Sequence, residues 1–351
     1  MHSMLALKVA FIHAESAKQF LRRHSLFADG FELDREATGL YFPVSSRFKP
    51  PFPAEFCRHE FAPRAARGDL GGVLVKRGII SERERARHFI SSFDVVGDIA
   101  VLEVMPELVT KEKRIAQILL ELHKGVAVVA KKAGATKGEF RIRKLKVIAG
   151  EKRLTTVYRE NGCRFKVHLN KLFFSSRLAF ERLRIAELVK PRERVLVLFA
   201  GGGFFAIVIA RAQPKVGKVV AVELNPDAVR LMEENIALNK MEGRIEAVKG
   251  DVNKVLKKSR YHRWADRIVM PLPHNAYEFL DAALGAARKG ATVHFYYIPD
   301  AEDADAIKLA REKIASACRK NRRRFKVVAA RTVKSYAPHV DQVVIDFRLL
   351  N

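Results

Sequence analysis

Residues 195–210 read VLVLFAGGGFFAIVIA, an apolar run, three consecutive glycines and a second apolar run. A strand, a glycine turn and a helix in that order point backbone N–H groups at a ligand with no Cβ in the way, which suits a nucleotide-like molecule. Gly201-x-Gly203-x-x-Ala206 also fits the alanine-ended dinucleotide fingerprint. Glu223 closes the run VVAVE, about 20 residues further on, where an acid accepts both hydroxyls of an adenosine ribose. Asp251, in KGDV, ends the next apolar run. A carboxylate there can accept from an adenine amino group, or simply cap the helix that VNKVLKK would form. For the glycines, the plain alternative is a tight turn packing helix on sheet.

The elements that must position these residues follow from the strand–helix alternation. Strands are predicted at 195–199, 219–223, 244–248, 266–270, 291–297, 325–332 and 342–349, with helices between the first five and another near 301–320. Only YAPHVDQ separates the last two strands, so they should form an antiparallel pair. Five α/β strands closed by a hairpin is the layout of a class I methyltransferase domain. A dinucleotide domain would continue with a second βαβαβ half. The expected cofactor is therefore S-adenosylmethionine, and an NAD-dependent oxidoreductase is the weaker reading. In that layout ADRIVMPLPHN ends strand four, where methyltransferases acting on nucleobases hold the target base.

Ahead of this domain the sequence suggests two smaller α+β units. Residues 1–60 carry helical spacing after Ser16 and a strand, GLYFPV, with the opening residues running straight into an amphipathic helix. The proline-rich stretch FKPPFPAEF reads as a stiff linker. Residues 68–153 combine the strand-like SFDVVGDIAVLEV, the amphipathic KEKRIAQILLELHKG and the strand VAVVAKK. RIRKLKVIAG and LTTVYRENGCRFKVHL alternate basic and apolar residues, as a half-exposed sheet would, and offer a ledge for RNA. The catalytic domain is then 156–351.

Composition narrows the partner. Sixty-five Lys+Arg against 39 Asp+Glu leave a net charge of +26. Such an imbalance suits a polyphosphate partner, and nucleic acid is favoured over an anionic membrane because no long helix combines a basic face with an exposed aromatic one. Binding should weaken steeply with salt as counterions are released. The three cysteines, Cys57, Cys163 and Cys318, are too scattered for a disulfide framework or a zinc site. No apolar run approaches a membrane span, and the opening residues do not read as a signal peptide, so a cytoplasmic protein is expected.

With these stretches in place, the chain resembles the archaeal and eukaryotic tRNA guanosine-37 N1-methyltransferases and their wyosine-pathway relatives over nearly its whole length. The densest stretches are SFDVVGDIAVL, GEFRIRKLKVIAGE, RENGCRFKVHLNKLFFSSRLAFERLRIAELV, the glycine turn, VVAVELNPDAVRLMEENIALNK and KSYAPHVDQVVIDF. The resemblance implies a small N-terminal domain that grips tRNA, a middle RNA-contacting domain and a catalytic domain acting without metal, as a monomer. It places the general base at Glu181, the partner of guanine O6 at Arg141 with Arg143 beside it, and a base-pocket arginine at Arg177. From the residues alone, Arg177 and Glu181 would be an ordinary i,i+4 surface ion pair. The implied cofactor set is Phe173, Phe199, Ala200, Gly201, Gly203, Glu223, Leu224, Asp251, Val252 and Pro271.

Three positions depart from the family pattern. Val197 stands where an aspartate precedes FAG, Pro271 where an asparagine follows strand four, and His168 where an aspartate is usual. The first two departures resemble the archaeal bifunctional subgroup, which also methylates C7 of the tricyclic wyosine precursor. The rival activity is aminocarboxypropyl transfer to that precursor from the same cofactor, and the rival class a non-catalytic tRNA-binding protein.

Overall fold

The computed structural model describes residues 2–10, 13–28, 31, 33–36, 39–61, 69–90, 93–134, 142, 144–300, 302, 304–337 and 339–351. They form two compact units, Met1–Asp69 and Leu70–Asn351.

In the first unit β1 (His2–Val9), α1 (Ala14–Arg23), β2 (Asp34–Glu36), β3 (Gly39–Pro43) and β4 (Glu55–Phe61) build a four-stranded sheet of order β2-β3-β1-β4. The opening residues are thus a central strand and not the start of a helix. Leu7 and Val9 pack into one core and Ala6 into another on the opposite face, so both faces are covered and the sequence lacks the alternation that marks a half-exposed strand. The proline-rich stretch is also no linker. Phe48, Phe52 and Phe56 pack on the first unit's core, interleaved with the prolines.

The second unit opens with α2 (Leu70–Lys76), α3 (Glu82–His88), β5 (Asp94–Val96), β6 (Ile99–Leu102), α4 (Glu112–Leu122), β7 (Val128–Lys132) and β8 (Leu145–Gly150). Ser81 and Glu84 form a capping box at the head of α3. Strands β5 to β8 make a second four-stranded sheet, and β9 (Thr155–Glu160) with β10 (Cys163–His168) a separate antiparallel hairpin. There follow α5 (Ala179–Glu187), β11 (Arg194–Leu198), α6 (Phe204–Ala212), β12 (Lys218–Glu223), α7 (Pro226–Leu238), β13 (Ile245–Lys249), α8 (Val252–Leu256), β14 (Ala265–Met270), α9 (Leu280–Ala286), β15 (Ala287–Tyr297), α10 (Ala306–Lys320), β16 (Phe325–Ala337) and β17 (Val340–Leu349).

Strands β11 to β17 form one seven-stranded sheet of order β13-β12-β11-β14-β15-β17-β16. Strands β11 to β15 pair in parallel, and β17 enters antiparallel between β15 and β16. This is the class I methyltransferase topology expected from the sequence. Strand order reverses between β11 and β14, so the crevice beyond their carboxyl ends is the ligand position such sheets offer.

Two polar ties hold the hairpin in place. On β9 and α5, Glu160 accepts Arg182 Nε and Nη2, each at 2.5 Å, with both side chains buried. The same guanidinium lies over the rings of Phe174 and Phe204. At the β5–β6 turn, Asp98 accepts Arg153 Nη1 at 3.0 Å and Thr156 Oγ1 at 2.7 Å. The Arg153 guanidinium holds the Asp98 carboxyl at about 2, against burial, which pushes it up.

Glu160→Ala leaves a buried guanidinium without its carboxylate, so it should destabilise the chain by about 3–5 kcal/mol, read from urea unfolding. Asp98 has a depressed pKa, so its contribution is present above the ordinary carboxylate range and is lost as pH falls towards 2. Between pH 5 and 2 the unfolding midpoint of Asp98→Asn should therefore fall less steeply than that of the unsubstituted chain.

Candidate active site

The turn after β11 is built from left-handed backbone. Phe199, Gly201 and Gly203 have φ of +56°, +55° and +82°. Gly203 caps α6, and a Cβ there would sit 2.9 Å from Met232 Cγ, so only glycine lets helix and turn approach this closely. Phe199 has no such licence, and its strained conformation is held by an edge-on contact with Phe279 at 4.8 Å. Ala200 is buried and donates its N–H to Val222 O at 3.0 Å. Phe173 is 46% exposed, and its carbonyl lies 3.9 Å from the position of a Gly201 Cβ, which brings it to the turn.

Glu223, at the end of β12, ties this turn to the next helix. Its Oε2 accepts Gly201 N at 2.7 Å and its Oε1 accepts Asn225 N at 2.8 Å. Burial raises its carboxyl pKa, while those backbone donors pull it down. Asn225 caps α7, accepting from Asp227 N at 3.0 Å, and donates to Lys171 O at 2.8 Å. Gly250 N donates to Glu223 O at 2.9 Å, which sets Asp251 beside Glu223. Asp251 is the cap of α8, its Oδ1 accepting Lys254 N at 3.0 Å, and among the described residues its Oδ2 has no protein partner. Val252 is buried behind it, and Leu224 is exposed.

These residues fit the adenosine half of S-adenosylmethionine: a cradle that a Cβ would fill, an acid at the end of β12 and a carboxylate oxygen after β13. Phe173 and Leu224 offer apolar surface at its edges.

Glu181 stands in the first turn of α5 and is 2% exposed. It does not pair with Arg177. Because α5 begins at Ala179, Arg177 lies in the preceding 3₁₀ turn, 69% exposed, and bonds Asp94 at 3.0 Å. Glu181 instead accepts four hydrogen bonds. Arg184 gives Nε to Oε2 at 3.0 Å and Nη2 to Oε1 at 2.7 Å, Tyr296 OH reaches Oε1 at 2.6 Å, and Arg331 Nη2 reaches Oε2 at 2.5 Å. Arg184 continues to Asp346, which also meets His294 at 2.7 Å, and His294 meets Arg267 at 2.7 Å. Burial alone would push the Asp346 carboxyl up, but His294 and Arg184 outweigh it and hold it well below the usual range.

Met270, the last residue of β14, pairs with Phe295, the neighbour of Tyr296, and Pro271 opens the loop that follows. In the same loop His274 packs edge-on against Tyr336 at 5.1 Å, and among the described residues its buried Nε2 has no hydrogen-bond partner. Val197 is buried mid-strand in β11, between Ala221 and Val269, where an aspartate would be a buried carboxylate. His168 Nδ1 accepts Asn170 N at 3.3 Å, and burial lowers its pKa. Arg141 and Arg143 lie outside the described residues.

Sequence reasoning missed Arg184, Asn225, Tyr296, Arg331, Asp346 and His274. Only Asn225 carried a local signal, the Asn-Pro-Asp start of α7.

Comparison with known proteins identifies the family. Residues 156–328 match the TRM5/TYW2 methyltransferase domain and residues 76–153 the TYW2 N-terminal domain. The chain is 33% identical to the tRNA (guanine(37)-N(1))-methyltransferase Trm5b of Pyrococcus abyssi over 98% of its own length and 99% of that protein. It is 32% identical to a tRNA(Phe) (4-demethylwyosine(37)-C(7)) aminocarboxypropyltransferase of Pyrococcus horikoshii, over 72% of this chain and 87% of that one. A solved complex of aTrm5 with tRNALeu superposes at a TM-score of 0.68 and 29% identity, covering 99% of this chain and all of that one. With the end-to-end match to Trm5b and the class I sheet carrying its glycine turn, this chain belongs to the TRM5/TYW2 methyltransferase family.

Proposed function

We propose that the chain is an S-adenosylmethionine-dependent tRNA methyltransferase that methylates N1 of guanosine 37 in the anticodon loop. The observation that carries the reading is the glycine turn, Glu223 and Asp251 together at the carboxyl ends of β11 to β13, in one domain with a buried carboxylate, Glu181, bonded to Tyr296 of β15. The charge of +26 supplies the general affinity for tRNA. In the same reading residues 1–60 grip tRNA, 68–153 contact the RNA and 156–351 hold the chemistry.

When bound, S-adenosylmethionine supplies a methyl group already activated by its sulfonium. The chain's task is to make guanine N1 a nucleophile, because that nitrogen carries a proton at neutral pH. Glu181 takes it. Both of its oxygens are occupied by donors, so one donor must give way. Arg331 is the partner on the open side, its side chain 19% exposed against 3% for Arg184, and its hydrogen bond is the one exchanged for the N1 proton. Arg184 and Tyr296 stay and keep the carboxylate aimed. Arg141, with Arg143 beside it, stabilises the charge developing on O6. Arg177 lines the base pocket, and Phe173 covers the methionine end of the cofactor.

Pro271 favours a second step on the same base. It has no side-chain amide to meet a guanine edge, which leaves room after β14 for the tricyclic wyosine precursor and methylation at its C7.

The direct test uses methyl-labelled S-adenosylmethionine and unmodified tRNA transcripts with guanosine or adenosine at position 37. Label should appear only in the guanosine transcript, as N1-methylguanosine. Transfer of the aminocarboxypropyl group instead, or no transfer at all despite tight tRNA and cofactor binding, overturns the proposal. Glu181→Gln should slow methylation about 10²–10⁴-fold, and full activity at neutral pH would remove Glu181 as the base. Gly203→Ala forces a side chain into left-handed backbone against Met232 and should weaken cofactor binding about tenfold by calorimetry.

A further inference from the structure

A second cleft, of about 500 Å³, opens at the opposite end of the seven-stranded sheet from the glycine turn. Arg194 and Lys218 begin β11 and β12, Trp264 immediately precedes β14, and Arg260 and Tyr261 lie in the 3₁₀ turn Ser259–Tyr261. The five-residue strand β11 separates this cleft from the glycine turn, roughly 16 Å at the usual rise per residue. It is therefore distinct from the cofactor and base sites.

Its charge is one-sided. Arg192, Arg194, Lys218 and Arg260 line it with a single acid, Glu246. Arg260 pairs with Glu246 at 3.0 Å, and Arg194 with Asp266 at 3.4 Å. Among the described residues Arg192 and Lys218 have no acidic partner. Arg192 is also held at φ +65°, uncommon for a residue with a side chain. The reason is a backbone contact: a Cβ on Gly217 would lie 2.6 Å from Arg192 O, and Arg192 N donates to Lys215 O at 2.7 Å. The unpaired arginine is thus fixed by main-chain packing at the rim. Beside it the Arg194 guanidinium lies 5.6 Å from the Trp264 ring centroid, with Tyr261 edge-on at 6.3 Å. A guanidinium–indole pair next to two free cations is the chemistry that receives a planar base attached to a phosphate.

We propose that this cleft binds a nucleoside phosphate, with Arg192 and Lys218 on the phosphate and the Arg194–Trp264 pair against the base. A segment of an RNA chain and a free nucleotide share that chemistry, and their different phosphates let one experiment separate them.

Trp264 is the chain's one tryptophan, so intrinsic fluorescence reports this cleft directly. The full-length protein and its R192A/K218A variant would be titrated with adenosine 5′-monophosphate and, separately, with an unmodified tRNA transcript at several salt concentrations. Saturable quenching should appear with at least one ligand. In the variant it should weaken tenfold or more for the nucleotide, or lose about 2 from the salt slope for tRNA. Quenching by tRNA alone identifies an RNA segment, and quenching by the nucleotide identifies a free ligand. No saturable change with either, or superimposable titrations of the two proteins, overturns the proposal. Calorimetric binding of S-adenosylmethionine should be the same in both proteins, which separates failure here from failure of the methyltransferase reading.

Discussion

A string of polar side chains, buried except for half-buried Glu193, runs through the catalytic sheet from Glu193 through Arg267, His294, Asp346 and Arg184 to Glu181. Its members come from the segment before β11 and from β14, β15, β17 and α5, so the whole string forms only when all five are in register. Two ions buried together gain little net stability over an apolar pair, but removing one partner is expensive because the other remains desolvated. Such a string therefore enforces an arrangement more than it adds stability. Burial lowers the His294 pKa against the pull of Asp346.

The same constraint fixes the surroundings of Glu181 on one side and opens them on the other. Three of its four donors are buried side-chain groups from Arg184 and Tyr296, and the fourth, from Arg331, is partly open. Position and charge are thus fixed on the interior side, leaving one replaceable contact outward. The glycine turn is organised in a similar way, with Glu223 clamping Gly201 and Asn225 next to the strained backbone at Phe199.

Much of this was legible in the sequence because the parallel strands are β-branched apolar runs bounded by glycine, acid or proline, and each lies within two residues of its expected bounds except β15 and β16, which extend further. What failed did so for separate physical reasons. The residues around β1 are covered on both faces, which erases the two-residue period, and the FKPPFPAEF stretch buries phenylalanines between its prolines. The Arg177–Glu181 spacing implied a helical neighbour pair, but the helix starts two residues after Arg177. Partners 162, 115 and 150 residues away decide the environment of α5, and no local pattern encodes them.

The insertion of β17 between β15 and β16 has a consequence for biosynthesis. Arg184 emerges from the ribosome 162 residues before the aspartate that completes its pairing. At ordinary elongation rates that interval is on the order of ten seconds. Once β15 has formed, its edge stays open until β17 arrives, and Arg184 has Glu181 but not yet Asp346. The catalytic domain can collapse early around β11 to β15, but it can close only when its antiparallel strand arrives. Nascent chains thus pass through a long-lived state with an exposed apolar edge, the kind of species that chaperones recognise.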